Sequence, residues 1–331
     1  MTLPRAMQAV RIENPGPDAK LVLVELPLPQ PKPDEILLKI EAAGVNRADL
    51  LQAQGRYPPP KGAPETPGME AAGTIAALGA NIRARKTGDR ACALLAGGGY
   101  AQYCVAHEGS VLPIPERMDM IHAAALPEAC FTAWTNIMDS GRLAPGETLL
   151  VHGGASGIGT IAIQIFAARG HRVFTTAGTR DKCALAMKLG AAHAINYREE
   201  DFAEIVKRET GGNGVDVILD MVGGDYVQRN LNALARKGRL VNIAYQKGAR
   251  VELDLSPVML KRLVITGSTL RARSNEQKAA IAAEVKREVW PLVESGKIHP
   301  IVDSAYPLAD AGKAHARMAS GAHAGKIVLT A

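Results

Sequence analysis

The chain has 331 residues, 47% hydrophobic and 4% aromatic, with a formal net charge of +6. That length accommodates two domains with separate cores, and the basic residues are dispersed, without the runs or basic–aromatic interleaving of a nucleic-acid surface. No apolar run is long enough to span a bilayer, and Cys92, Cys104, Cys130 and Cys183 stand far apart with no C-x-x-C pair, a pattern of free thiols in a reducing compartment.

Met1-Thr2-Leu3-Pro4-Arg5 carries no signal-like apolar stretch, so a cytoplasmic location is expected. The first third reads as β-rich. Strands are expected at Ala6–Ile12 and Leu21–Leu26, parted by the turn signal Asn14-Pro15-Gly16-Pro17. Pro27, Pro29, Pro31 and Pro33 favour an extended connection. Glu35–Ala42 alternates poorly but is apolar enough for a strand, and Gly44 to Gln52 reads as a turn into a short helix that Gly55-Arg56-Tyr57-Pro58-Pro59-Pro60 breaks. Short strands at Gly73–Leu78, Asp89–Leu94, Tyr100–Val105 and Ser110–Ile114 predict a compact, barrel-like domain.

The composition changes near residue 120. Met120–Asp139 is alanine-rich and can be helical, with a break at Pro127. Strand and helix then alternate. Strands are expected at Leu149–Val151, His171–Thr176, His193–Asn196, Val215–Val222 and Arg239–Ala244. Helices are expected between them at Thr160–Arg169, Asp181–Leu189, Asp201–Thr210 and Asp225–Ala235. That alternation predicts an α/β fold with a doubly wound parallel sheet. The first strand runs into Gly153-Gly154-Ala155-Ser156-Gly157-Ile158-Gly159, a G-x-S-x-x-G spacing with an extra glycine. Such a turn lets the backbone approach a pyrophosphate, whose charge meets the free N–H groups of the helix N-terminus. A tight structural turn also wants glycine; the strand–turn–helix setting is what favours a nucleotide site. Residues 258–331 return to mixed strand and helix, with one helix at Asn275–Glu294 and a last strand at Lys326–Thr330, and are expected to complete the first domain.

Several separate stretches carry a resemblance. They are Gly44-Val45-Asn46-Arg47-Ala48-Asp49, Tyr57-Pro58-Pro59-Pro60, Pro67-Gly68-Met69-Glu70-Ala71-Ala72-Gly73 and Leu95-Ala96-Gly97-Gly98-Gly99-Tyr100-Ala101-Gln102-Tyr103. Ala125-Leu126-Pro127-Glu128-Ala129, Gly190-Ala191-Ala192 with Asn196-Tyr197, and Gly325-Lys326-Ile327-Val328-Leu329 follow. In this order they resemble the medium-chain dehydrogenase/reductase superfamily along essentially the full chain. More narrowly the chain is similar to the zinc-free quinone oxidoreductase branch, nearest its tumour-suppressor-inducible subgroup. The resemblance implies a GroES-like catalytic domain at 1–126 and 266–331 and a Rossmann NADPH-binding domain at 127–265. It also implies an active site in the cleft between them and a homodimer paired through the Rossmann sheet edge.

Zinc-dependent relatives carry Cys where Asn46 stands and His where Met69 stands. Tetrahedral zinc takes thiolate, imidazole or carboxylate, so no metal is expected; Glu70 alone is not a site. Without a Lewis acid to stabilise an alkoxide, the easier substrates are electrophilic acceptors. The expected reaction is zinc-independent hydride transfer from NADPH to a quinone, with the cofactor carrying the reactivity. Reduction of the carbon–carbon double bond of an enone or enoyl thioester remains the alternative. A non-enzymatic NADPH-sensing or RNA-binding protein is the reading from another class, which the dispersed charge argues against.

NAD sites place an acid about 20 residues after the glycines, to hold the ribose hydroxyls. Here the strand tip, with Gly178 and Thr179, has no acid, while Arg180 and Lys182 are poised for a 2′-phosphate, which favours NADPH. Alternatively these bases solvate a helix start that Asp181 caps. Tyr197 matches the family position that closes over this phosphate. Asn46 matches the active-site asparagine, though capping the next helix would suit it equally. Tyr57 matches a tyrosine near the acceptor, where it could bond a quinone oxygen or supply a proton; packing on its prolines is the other reading. Thr132 stands where the family binds the nicotinamide amide. Gly223, Tyr245 and Lys326 are further cofactor candidates. Tyr100, Tyr103 and His152 read as structural.

Overall fold

A computed structural model describes residues 3–331; Met1 and Thr2, within the stretch read for a targeting signal, lie outside the described residues. The described residues separate into two compact units: residues 3–131, 270–294 and 299–331, and residues 132–269 with 295–298.

In the first unit a six-strand path runs Val302–Pro307, Lys326–Thr330, Glu35–Val45, Glu70–Leu78, Arg90–Leu94, Val111–Pro113. Tyr103–His107 also pairs with Glu35–Val45, and Ala6–Glu13 forms a separate hairpin with Lys20–Pro27. Glu35–Val45 alternates poorly because both of its faces are covered. Ile36, Leu38 and Ile40 enter the main core, while Leu37 packs with Met7, Leu28 and Ala101. The expected single helix over 275–294 is two, Asn275–Glu288 and Trp290–Glu294. Pro291 has no N–H to give to the turn before it. The last strand, Lys326–Thr330, lies antiparallel to Glu35–Val45, so the C-terminal segment completes this unit.

The second unit is a six-stranded sheet with every pairing parallel. Its order is His193–Asn196, Arg172–Ala177, Thr148–His152, Val215–Asp220, Leu234–Asn242, Val264–Gly267. Numbered along this unit, that is 3-2-1-4-5-6, the order of a dinucleotide-binding sheet. Leu150, Phe174, Ile218 and Leu240, in four adjacent strands, are fully buried and form the centre of its core.

Two elements here went unforeseen: helix Ser256–Lys261 and edge strand Val264–Gly267. The edge strand draws residues 266–269 into this unit, away from the expected boundary at 265. At the other boundary, Glu128 N–H donates to the Glu70 carboxylate at 2.9 Å, which keeps residues 127–131 with the first unit. The expected helix over 225–235 ends at Ala233, because the chain enters its strand early, through a bulge with Lys237 at φ +64°. Among the described residues no helix is long and apolar enough to cross a membrane.

Candidate functional site

In the second unit, strand Thr148–His152 feeds the glycine turn directly into helix Gly157–Ala168. Ser156 is the N-cap, its Oγ accepting the Gly159 N–H at 3.0 Å. Gly154 donates to the Thr176 carbonyl at 2.9 Å. A Cβ on Gly154 would fall 2.1 Å from Thr175 Oγ1, and one on Gly159 would fall 2.2 Å from the Gly153 carbonyl oxygen. Glycine is therefore demanded by the close return of the chain. Ala155 is buried, while Gly157 and Ile158 are half-buried on the first helical turn, where N–H groups lack intrahelical partners.

The neighbouring strand tip holds Gly178, Thr179, Arg180 and Lys182. Thr179, not Asp181, caps helix Arg180–Lys188, its side chain accepting the Lys182 N–H at 3.3 Å. Arg180 extends into solvent and pairs with Glu199 at 3.5 Å, an exposed contact of small strength. Tyr197 closes over this tip. Its hydroxyl occupies the space beside Gly178, 2.6 Å from where a Cβ would lie, and its ring meets Tyr226 edge-on. Gly223, at φ +65°, leads the turn after Val215–Asp220 and lies against Tyr245, whose ring would be 2.8 Å from a Cβ there. Thr132 is buried, and its carbonyl accepts from Asn136 Nδ2 at 2.9 Å. Asn136 lies in a π-helical stretch, Thr135–Ser140, a local distortion frequent at functional sites.

The remaining candidates belong to the first unit. Asn46 stands at the N-cap of helix Arg47–Ala53, yet its side chain does not face the helix. Nδ2 donates to Glu70 at 2.9 Å, and Oδ1 accepts from Lys326 Nζ at 2.7 Å. Asp49 serves the cap instead, accepting the Asn46 N–H at 2.8 Å. Lys326 also forms an ion pair with Glu70, and both are buried. The ammonium thus offsets the charge of the carboxylate that follows Met69 in the sequence and accepts from Asn46. Among the described residues, no three His, Cys, Asp or Glu side chains gather as metal ligands would.

Beside this cluster, Asp49 accepts the Gly68 N–H at 3.0 Å and lies 3.2 Å from the Tyr100 hydroxyl. Burial pushes its carboxyl up to about 6, against the pull of hydrogen bonds from Asn46 and Gly68 and of the Lys326 and Arg271 charges. His315 Nε2 lies 3.1 Å from the same hydroxyl, and burial lowers His315 to about 4. Tyr57 is half-buried, and the Arg271 guanidinium lies over its ring at 5.6 Å. Arg271 is itself buried, bonding the Ala96 carbonyl at 2.7 Å and Gln52 Oε1 at 2.8 Å. Burial and the Glu128 charge raise the Tyr57 phenol, so it stays protonated at neutral pH.

Arg271 and His315 carried no motif in the sequence, and the stretches that contain Asp49, Glu70 and Lys326 showed neither the bonding of Asp49 to Gly68 and Tyr100 nor the pairing of Glu70 with Lys326. Their partners lie far along the chain, and only folding brings them together.

The chain matches the family model described as zinc-binding dehydrogenase over residues 189–329 and that described as alcohol dehydrogenase GroES-like domain over residues 32–116. It is 32% identical to the quinone oxidoreductase of Homo sapiens over 330 residues, 98% of each chain. Its fold is similar to that of Escherichia coli quinone oxidoreductase complexed with NADPH, with TM-score 0.86 and 31% identity over 98% of this chain and all of that one. An NAD-dependent alcohol dehydrogenase of known structure is also similar, with TM-score 0.84 and 29% identity over 98% of this chain and 99% of that one. Full-length identity to the quinone oxidoreductases, joined to a GroES-like unit and a 3-2-1-4-5-6 sheet, places the chain in the quinone oxidoreductase branch of the medium-chain dehydrogenase/reductase superfamily.

Proposed function

We propose that the protein is a zinc-independent oxidoreductase that transfers hydride from NADPH to a quinone. One observation carries the reading: a glycine cradle at the carboxyl edge of the sheet, with a basic strand tip beside it. The cradle fits the group, since side chains at Gly154 and Gly159 would fill it. Gly154, Ala155, Ser156, Gly157, Ile158 and Gly159 would hold the pyrophosphate. Gly178, Thr179, Arg180, Lys182 and Tyr197 would hold the 2′-phosphate, and Thr132, Gly223 and Tyr245 the nicotinamide half. NADPH, when bound, supplies the hydride.

The chain's own residues orient and polarise. Lys326 and Glu70 grip both ends of the Asn46 amide, which fixes its orientation and leaves one Oδ1 lone pair for a ribose hydroxyl. Tyr57, kept protonated, donates a hydrogen bond to an acceptor oxygen. Steady-state NADPH oxidation against quinone, enone and enoyl thioester panels tests the acceptor. Saturable quinone turnover is expected; quinone turnover many times slower than enone turnover would overturn it. NADPH should bind more tightly than NADH, with the difference lost in Lys182→Ala, and equal affinities in the parent protein would refute the cofactor assignment.

We further propose a homodimer in the cytoplasm. Leu255, just before helix Ser256–Lys261, Met259 and Leu260 on that helix, and Val264 and Ile265 on the edge strand are exposed, and the outer edge of that strand invites a second copy. Ile265→Lys should convert a dimer in light scattering to a monomer. Cys92, Cys104, Cys130 and Cys183 are all free thiols, which fits a reducing compartment.

A further inference from the structure

Across three neighbouring strands of the second unit runs a row of buried polar side chains that the proposed reaction leaves without a role. His152 ends strand Thr148–His152, Thr176 is its register partner on Arg172–Ala177, and Asp220 ends Val215–Asp220. Asn230, from helix Tyr226–Ala233, joins them, and all four are buried. Buried polar atoms are costly unless paired, so each one here has to be accounted for.

Asp220 accepts the N–H groups of Val222 at 2.6 Å and Gly223 at 3.2 Å, and Asn230 Nδ2 at 3.1 Å. A carboxylate only accepts, so the Asn230 amide nitrogen must face it. Asn230 Oδ1 then faces His152 Nε2 at 2.7 Å, which puts the imidazole proton on Nε2. Burial drives His152 below its ordinary range, so the ring is neutral and Nδ1 is an acceptor. Thr176 Oγ1, 3.0 Å away, donates to it, and the same oxygen is left to receive the Gly153 N–H along a longer contact of 3.4 Å. The hydrogen bonds therefore run in one direction from Gly153 through Thr176, His152 and Asn230 to Asp220, where the Gly223 N–H meets them.

Both ends of this chain are glycine turns. Gly153 has φ +72° and Gly223 φ +65°. A Cβ on Gly153 would fall 2.9 Å from Met221 Sδ, and Ser156 Oγ lies 3.8 Å from that sulfur, so the two turns also meet directly. Phe202 and Tyr226 hold the His152 ring edge-on at 4.7 and 5.0 Å.

We propose that Thr176, His152, Asn230 and Asp220 form a positioning device that holds the Gly153 and Gly223 turns in register for a ligand spanning both, a dinucleotide. This rests on the assignment of those turns to the two halves of NADPH. A ligand held at one turn alone does not need the register. The test compares NADPH with adenosine 2′,5′-bisphosphate, which lacks the nicotinamide half. His152→Phe keeps a ring between Phe202 and Tyr226 but strands the partners of both nitrogens, whereas His152→Gln retains a donor and an acceptor. In His152→Phe, the Kd for NADPH should weaken tenfold or more while that for the bisphosphate stays within twofold. His152→Gln should recover NADPH binding to within threefold. Thr176→Val, a near-isosteric cut at the other side of the ring, should show the same split should His152→Phe fail to fold. Parallel weakening of both ligands, or no change in either, would overturn the proposal. A ligand-free measurement separates this from the cofactor assignment. Amide hydrogen exchange at Val222 and Gly223 should accelerate together with Gly153 when His152 or Thr176 is replaced. Unchanged exchange at Gly223 would sink the proposal even if NADPH binds; a parent protein that binds no NADPH would instead refute the cofactor assignment, with exchange still deciding whether the turns are linked.

Discussion

Replacing Asp49 by Asn removes a titration that the fold has displaced a long way. The carboxyl is fully buried and shifts from 3.8 to about 6 because burial outweighs the hydrogen bonds from Asn46 and Gly68. The folded state therefore holds this proton more tightly than the unfolded chain does. The stability so contributed is complete below pH 3.8 and is lost as pH rises through about 6. At about 1.4 kcal/mol per pKa unit, the displacement corresponds to about 3 kcal/mol. An Asn side chain does not titrate, and its amide group, turned toward one backbone N–H, imposes an offset that does not vary with pH. Measured by urea unfolding, the stability of Asp49→Asn relative to the parent should rise by about 2–3 kcal/mol from pH 4 to pH 7, mostly before pH 6. Other groups cancel in the difference. A flat difference, or one that falls with pH, would refute the reasoning.

His315 should show the opposite sign. Its folded value, about 4, lies below the ordinary 6.5, so stability is lost as pH falls between the two, and the penalty of His315→Gln should shrink by about 3 kcal/mol from pH 7 to pH 4 in the same assay. Lys326→Met leaves the Glu70 carboxylate buried without its counter-charge and should cost about 3–5 kcal/mol; adding Glu70→Gln should recover much of it, and a double-mutant cycle that closes additively would refute the pairing. Gly44→Ala should cost about 2 kcal/mol or more, since its Cβ would fall 2.2 Å from Glu70 Oε1 and 2.8 Å from the Ala124 carbonyl oxygen. Gly312→Ala meets nothing within 4 Å inside helix Ala311–Ala319 and should instead stabilise by about 0.5–1 kcal/mol in thermal or urea unfolding.

Local physics was legible along the chain wherever it acts over a few residues. The alternation of apolar strands and helices after residue 148 is enough to demand a parallel sheet, because neither element can bury its apolar face alone. The turn from Gly153 to Gly159 must be glycine-rich, since the strand doubles back on its own helix within Cβ distance. The edge strand Val264–Gly267 was not legible: its residues are largely exposed, so no burial period marks them, and only backbone pairing with Leu234–Asn242 makes them a strand.

Side-chain partnership was the other thing decided by folding. Asn46 sits at a helix cap by its position in the sequence, but its amide turns to Glu70 and Lys326, the latter 280 residues away. His152 read as structural from its neighbours alone. Its tautomer follows from Asp220, which forces the Asn230 amide to turn and so directs the ring proton to Nε2. Charge and hydrogen-bond direction in a buried cluster belong to the cluster as a whole, because each group's protonation and orientation depend on the donor facing it. The covalent order of the residues settles which turns and strands form, since those forces are local. The tertiary structure alone brings Glu70 to Lys326 and Thr176 to His152, since those contacts join residues that no short-range pattern links.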